Sequence, residues 1–338
     1  MAALQDCSVG LKVEATYGTA VVNDRFYEFT DESLAWEPKR VQGAGLRVGS
    51  VFDRSGRRVT PVSSAKGSLT TELVSKGFGQ LWTAALGTGV STLTTGTTYQ
   101  QNFSVGSTPL SYTIQKGIVE AGGTVDTYTF TGCMVTGWEF ALDNAGLVTL
   151  KTDWDARAMA TATAYAAPTY PTTPTLYNFS HGITSAMSVG GAITAPTTTA
   201  LATGGTVVTN VTDFKLKFDR GLNVDRYAIG SAGLKSKPTT GMVKASGSFT
   251  AEYDSTTNAA AFIADTELSI NLVLTTAVSL STGFEQFQIA IPAIKLDSAI
   301  PVSNKGDLIT VSCDFTVLDG LVAAQPLYIS MRTSDSAL

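Results

Sequence analysis

Histidine is nearly absent from this 338-residue chain, with His181 the one example. A Ser-His-Asp triad or a histidine-ligated metal would have to use it. The adjacent Ser180 does not help, because neighbouring side chains rarely aim at each other. His181 therefore reads as a solvated loop residue. Cysteine is also scarce: Cys7, Cys133 and Cys313 are odd in number, widely spaced and form no CxxC pair. Neither a zinc site nor a disulfide framework is indicated, and the usage suits a reducing compartment. No apolar run approaches the roughly 18 residues of a membrane span. The opening MAALQDCSVG lacks the basic and apolar regions of a secretory signal. The expectation is a soluble protein made in the cytoplasm, with no membrane partner. Walker, GxSxG and metal signatures are missing as well. GAGLRVG (43–49) has GxGxxxG spacing and opens no helical pattern, so it is rejected as a dinucleotide loop. No cofactor is expected.

Charged residues make up only 15% of the chain and hydrophobic residues 43%, which is not a disordered composition. Thirty-two glycines, with abundant Thr and Val, favour many short strands joined by turns. The net charge of −5 is unevenly spread. Segments 37–66 and 219–244 carry 12 of the 23 Lys and Arg, and the remainder of the chain has a net charge of −13. The layout is an acidic body with one basic segment in each half.

Three blocks recur in the same order. Thr30-Asp31-x-x-Leu34-x-Trp36 returns as Thr212-Asp213-x-x-Leu216-x-Phe218. AKGSLTTE (65–72) returns as ASGSFTAE (245–252). NAG-LVTLKTDW (144–154) returns as NKGDLITVSCDF (304–315) with one residue inserted. The offsets are 182, 180 and about 161, the trace of a duplicated domain. The chain divides into a first β domain with an N-terminal arm (1–165), a Pro/Thr/Ala/Gly-rich connection (166–205) and a second β domain with a short tail (206–338).

GLKVEATYG (10–18) alternates with period two, and residues 1–28 read as an arm leading into the first strand. Residues 29–36 and 67–74 read as strands, with the basic 37–66 between them as a long hairpin or loop. Phe78, Leu81, Trp82 and Ala85 then fall at helical spacing, and Gly87 ends the run. The second half answers with a helix near 256–265, where Phe262 is the core candidate and Asp254 or Ser255 the N-cap. Residues 88–128 read as a long polar stretch. Two closing hairpins follow, around Asp143-Asn144-Ala145-Gly146 and Asn304-Lys305-Gly306, with Asn and Gly at the positive-φ positions. A strand is expected near Leu176–Phe179, and the tail after 331 reads as loosely held.

Asp153 and Asp155 lie at i and i+2 on a strand and share a face, roughly 7 Å apart. A carboxylate pair at that spacing suits glycoside hydrolysis. The matching strand keeps Asp314 but has Thr316 in the second place, so a solvated acidic face is the stronger reading. The cluster Arg47, Arg54, Arg57 and Arg58 reads either as a solvated hairpin or as a protein contact. With little aromatic interleaving beyond Phe52, nucleic-acid binding is the weaker option. Arg226, Lys235 and Lys237 are its counterparts in the second half.

GLKVEATYGTA (10–20), AKGSLTTELVSKGFGQLWTAALG (65–87) and GWEFALDNAGLVTLKTDWDAR (137–157) together resemble the tail tube proteins (major tail proteins) of long-tailed, siphophage-type bacteriophages. The resemblance spans most of residues 8–330. It implies a mainly β fold of two tandem tube-type sandwich or barrel domains, each with one short helix and similar to the type VI secretion tube. It implies rings that stack into a hollow tube, with two fused domains letting a trimer mimic a hexamer. Tape-measure and tail-end proteins would be partners, and double-stranded DNA would pass without specific binding. Arg47, Arg54, Arg57, Arg58, Arg226, Lys235 and Lys237 become candidates for contacts between rings. Asp153, Asp155 and Asp314 become candidates for the lumen or an acidic face, and Phe78, Leu81, Trp82 and Phe262 for the helix core. The expected role is structural, in the virion tail, after assembly in the host cytoplasm. The rival is a carbohydrate-binding or adhesin-like β protein presenting Trp36, Trp82, Trp138 and Tyr177.

Overall fold

The computed structural model of the chain describes residues 6–183, 185–303, 306 and 308–338. Its strands are antiparallel throughout, and the duplication is written into their pairing. In the first half, Ala35–Gln42 pairs with Arg58–Glu72, which pairs with Val148–Ala156, which pairs with Val125–Leu142. In the second half, Val211–Asp219, Lys244–Glu252, Thr310–Val317 and Phe284–Ser298 follow in the same order. The registers coincide. Trp36 faces Ala65 as Phe218 faces Ala245. Asp153 lies opposite Ser68 and Gly137, and Asp314 lies opposite Ser248 and Ser298. Each last ladder then bulges at the matching residue, Thr136 or Asp297. A slip of one residue would turn a strand over, so the shared register of three ladders and a bulge is specific rather than incidental. Gly67 and Gly247 are also equivalent. A Cβ at either would strike the backbone of its first strand, at Leu34 or Lys215.

The repeat offset falls from 180 to 161 residues across the stretch expected to be polar and irregular. That stretch is three strands: Gly87–Thr95, Thr98–Val105 and Tyr112–Val119. The hairpin Gly87–Val105 has no counterpart among the described residues of the second half, and its length matches the lost offset. Its two glutamine amides bind backbone rather than solvent. Gln100 Nε2 donates to the carbonyls of Thr197 and Ala200, and Gln101 Nε2 to those of Asp335 and Ala337. Amide side chains that bind backbone hide a buried strand from a hydropathy reading.

The two halves meet edge to edge. Val125–Leu142 pairs with Val211–Asp219, from Phe214↔Leu142 to Asp219↔Gly137. A second seam joins Tyr328–Thr333 to Thr98–Val105. Among the described residues, nineteen strands thus share one hydrogen-bonded sheet. Aromatic rings cross the first seam. Phe218 stacks on Trp138 at 5.3 Å, and Trp138 meets Trp82 edge-on at 5.5 Å. Phe287 stacks on both Trp82 and Phe140. The helix Gly79–Leu86 buries Leu81 and Trp82 here and ends at Gly87, φ +94°, as its spacing predicts.

Several expectations are corrected. Ser8–Val13 is not a free arm: it pairs with Tyr112–Val119 and Arg25–Tyr27, while residues 1–5 lie outside the described set. The second helix, Thr257–Ile263, is capped by Thr256 without a side-chain hydrogen bond, so neither Asp254 nor Ser255 is the cap. In the first closing turn, Ala145 takes the positive φ of 55°. Of the second turn only Gly306 is described, at φ +92°. The 176–179 region makes single bridges, Val74↔Leu176 and Leu147↔Asn178. The tail is held: the Gly77 amide donates to Asp335 Oδ2 at 2.9 Å, and Leu338 packs on the core.

Candidate functional site

The exposed chemistry lies in two segments and one strand edge. Residues 43–57 form an arm beyond the Ala35–Gln42/Arg58–Glu72 hairpin. Its base is closed by the Gly43 amide on the Arg57 carbonyl, 2.9 Å, and by Gln42 Nε2 on the Arg54 carbonyl, 3.1 Å. Arg47, Arg54 and Arg58 are exposed and Arg57 is half-buried. Leu46, Val48, Val51 and Phe52 are fully or almost fully exposed. Sequence reading singled out the arginines and passed over this apolar set, although the alternation of Leu46 and Val48 around Arg47 was visible. Apolar residues gathered on a solvent-exposed arm mark an interaction surface.

The equivalent segment of the second half, 224–243, behaves differently. It folds back over the first half, where the Ser63 amide donates to the Gly233 carbonyl at 3.2 Å. Gly233 sits at φ +77°, and a Cβ there would strike the Pro61 carbonyl oxygen. Lys235 is 3% exposed and its Nζ pairs with Asp155 Oδ1. Burial pushes the Asp155 carboxyl up, and the Lys235 ammonium pulls it back down. Neither residue is therefore a free surface group: Lys235 is not an open contact residue and Asp155 is not on an open acidic face. Arg226 and Lys237 remain exposed, and Arg226 Nη1 donates to the Lys237 carbonyl at 2.9 Å.

Asp153 and Asp314 are exposed at equivalent positions. Asp314 accepts from Ser298 Oγ at 2.7 Å, and neighbouring Asp297 accepts from Thr316 Oγ1 at 2.7 Å. With Asp155 locked to Lys235, the carboxylate pair has no second free member. His181 Nδ1 accepts from the Asn178 amide at 3.2 Å in a capping box, and partial burial lowers its pKa. It closes a short 3-10 turn. Among the described residues, no group of three His, Cys, Asp or Glu is placed to hold a metal ion, and no helix is long and apolar enough to cross a membrane.

Of the four aromatics a carbohydrate platform would need, Trp82, Trp138 and Tyr177 are buried in the core; Trp36 alone is half-exposed. Phe78 joins Leu81 and Trp82 in the core, while Phe262 only packs against its margin. Arg220, counted by sequence as part of a basic segment, is fully buried. It reaches from the second half to the Ala85 and Gly106 carbonyls, at 3.0 and 2.9 Å, where it meets the negative end of the Gly79–Leu86 helix. A Cβ at Gly87 would collide with its guanidinium, so that glycine both stops the helix and admits Arg220.

No curated protein matches the chain in sequence. The sequence model of the phage tail tube protein family matches residues 5–317. That span takes in the four-strand ladders of both halves, the first seam between them and both basic segments. The chain belongs to the phage tail tube protein family.

Proposed function

We propose that this chain assembles head to tail into rings that stack into a tail tube, with a central channel through which the genome passes. The observation that carries the reading is the duplicated ladder. Two equivalent units, already joined edge to edge, form one link of a series that repeats. Such heterologous contacts close into a ring when the rotation permits. With two units in each chain, three chains make a ring of six. The units are residues 1–165 and 206–338, with 166–205 connecting them.

The net charge of −13 outside the basic segments favours a channel that repels phosphates, so DNA slides without sticking. The role is structural rather than enzymatic. Tape-measure and tail-end proteins are the further partners, and assembly takes place in the host cytoplasm. Electron microscopy of the purified protein tests the reading: rings or tubes are expected, and a persistent monomer at high concentration would overturn it. The arm supplies contacts between copies. Replacing Arg54, Arg57 and Arg58 together by Glu leaves the circular-dichroism melt unchanged and stops tube growth; normal tubes from that variant would remove the arm from the contacts.

A further inference from the structure

The seam inside the chain is a template for the seam between chains. Val211–Asp219, the first strand of the second unit, lies along residues 137–142 of the first. The same offsets carry Leu216 to Leu34, Phe218 to Trp36, Trp138 to Ala299 and Glu139 to Ile300. One copy therefore has a free member of each kind: a first strand at 31–37 and an accepting edge at 298–303.

The accepting edge looks prepared. The ladder of Val125–Leu142 with Val148–Ala156 runs on past the bulge to Val148↔Leu142, whereas that of Phe284–Ser298 with Thr310–Val317 stops at Ser298↔Asp314. Among the described residues, no strand pairs with 299–303. Residues 299–302 still alternate as a strand would: Ala299 is buried and Pro301 half-buried, while Ile300 and Val302 are 54% and 75% exposed.

The donor strand has matching features. The Ser33 amide bonds back to Ser68, so the Leu34 amide and carbonyl point away from Arg58–Glu72. There Lys116 Nζ donates to the Leu34 carbonyl at 2.6 Å, and the Leu34 amide turns to Glu32 Oε1. The offsets put Pro301 opposite Leu34. Proline has no amide hydrogen to offer that carbonyl, and Lys116 already fills the need. Volumes also complement each other. Inside the chain Phe218 stacks on the large Trp138; across the new seam the larger Trp36, half-exposed in one copy, meets the small Ala299.

Charge agrees. The 224–243 segment covers the face of the first unit at Asp155. The equivalent face of the second unit, at Asp297, Asp314 and Thr316, lacks such a cover among the described residues. The same relation lays the arginine-bearing arm of the incoming copy across it.

We propose that residues 31–37 of one copy add as an antiparallel strand to residues 298–303 of another, with Ala35 opposite Ile300, and that the arm 43–57 crosses the Asp297/Asp314 face. The proposal rests on the tube reading and names the surfaces that make its rings. Ala35 and Ile300 are exposed, so cysteines at both positions leave the fold intact. Under mild oxidation of the full-length double variant, non-reducing gels are expected to show linked dimers and trimers that vanish when either position is restored. Rings or tubes without such linkage would overturn this seam and leave the tube reading standing. Both changes are made on a Cys7→Ser background, since Cys7 is the native thiol that is not buried; linkage with only one of the two positions changed would overturn the register. Protein that remains monomeric would overturn both. A second variant, Ile300→Lys, is expected to abolish rings in sedimentation while keeping the wild-type melting temperature; undiminished rings would refute the edge.

Discussion

Phe218 and Trp36 hold equivalent positions in the repeat, and the structure assigns them opposite consequences. Phe218 is 1% exposed and stacks on Trp138 at an interplanar angle of 11°. Truncation to Ala removes a buried ring from a seam held on both sides by ladders, where collapse is restricted. Such a change costs about 3–5 kcal/mol, of which roughly 0.5–1.5 kcal/mol is the aromatic pairing itself. With a urea m-value of about 3 kcal/mol/M for a chain of this size, the midpoint should fall by roughly 1–1.7 M. Tryptophan fluorescence and far-ultraviolet circular dichroism should report one shared transition in the wild type, because the seam ties the halves together. Trp36→Ala, at a half-exposed site, should move the midpoint far less and instead reduce assembly. A Phe218→Ala shift no larger than that of Trp36→Ala would refute the equivalence. Separate transitions for the two probes in the wild type would refute the shared core.

Lys235→Met removes the cation from a buried pair and should cost about 3–5 kcal/mol at neutral pH. Burial already raises the Asp155 carboxyl above its ordinary value, so the fold favours the neutral acid. Any stability from that preference is present below the unfolded pKa and lost as pH rises through the folded one. Without Lys235 the folded pKa climbs further, so the variant's deficit should shrink as pH is lowered toward the usual Asp range. A deficit in melting temperature independent of pH would refute this account. Gly233→Ala should destabilise by more than about 1 kcal/mol, since strain at positive φ adds to the collision with Pro61. Gly230→Ala, at φ +99° with open space around it, carries the strain alone and should cost less by urea titration.

Much of the fold was legible because burial and period agreed. Leu69, Thr71 and Leu73 alternate and are buried together; Phe78, Leu81 and Trp82 follow helical spacing and are buried together. The strand Thr98–Val105 was hidden because Gln100 and Gln101 are polar yet buried, their Nε2 groups donating to carbonyls from distant segments that no local window contains. Lys235, Asp155 and Arg220 were misread for a related reason. A charge looks solvated in sequence unless its partner is known, and their partners lie 80 or more residues away. The tail misled in the same way, being anchored by Gly77 and Gln101.

Divergence between the repeats now acquires a physical meaning. A perfect duplicate would offer the same edge twice, and its own second unit would compete with a neighbour for either. Here the internal seam pairs a medium ring with a large one, Phe218 on Trp138, and the proposed external seam pairs the larger Trp36 with the small Ala299. Exchanging partners would bring Trp36 onto Trp138, which overpacks, or Phe218 onto Ala299, which leaves a void; each costs roughly 1–3 kcal/mol or more. Pro301 adds a second discrimination. It suits a strand whose outward carbonyl already has a donor, as Leu34 has from Lys116. The equivalent Leu216 instead lies opposite Phe140, which retains its amide hydrogen. If the proposed seam forms, the two seams share one geometry and differ in side chains, and the order of units along the proposed ring follows from which edge each first strand fits.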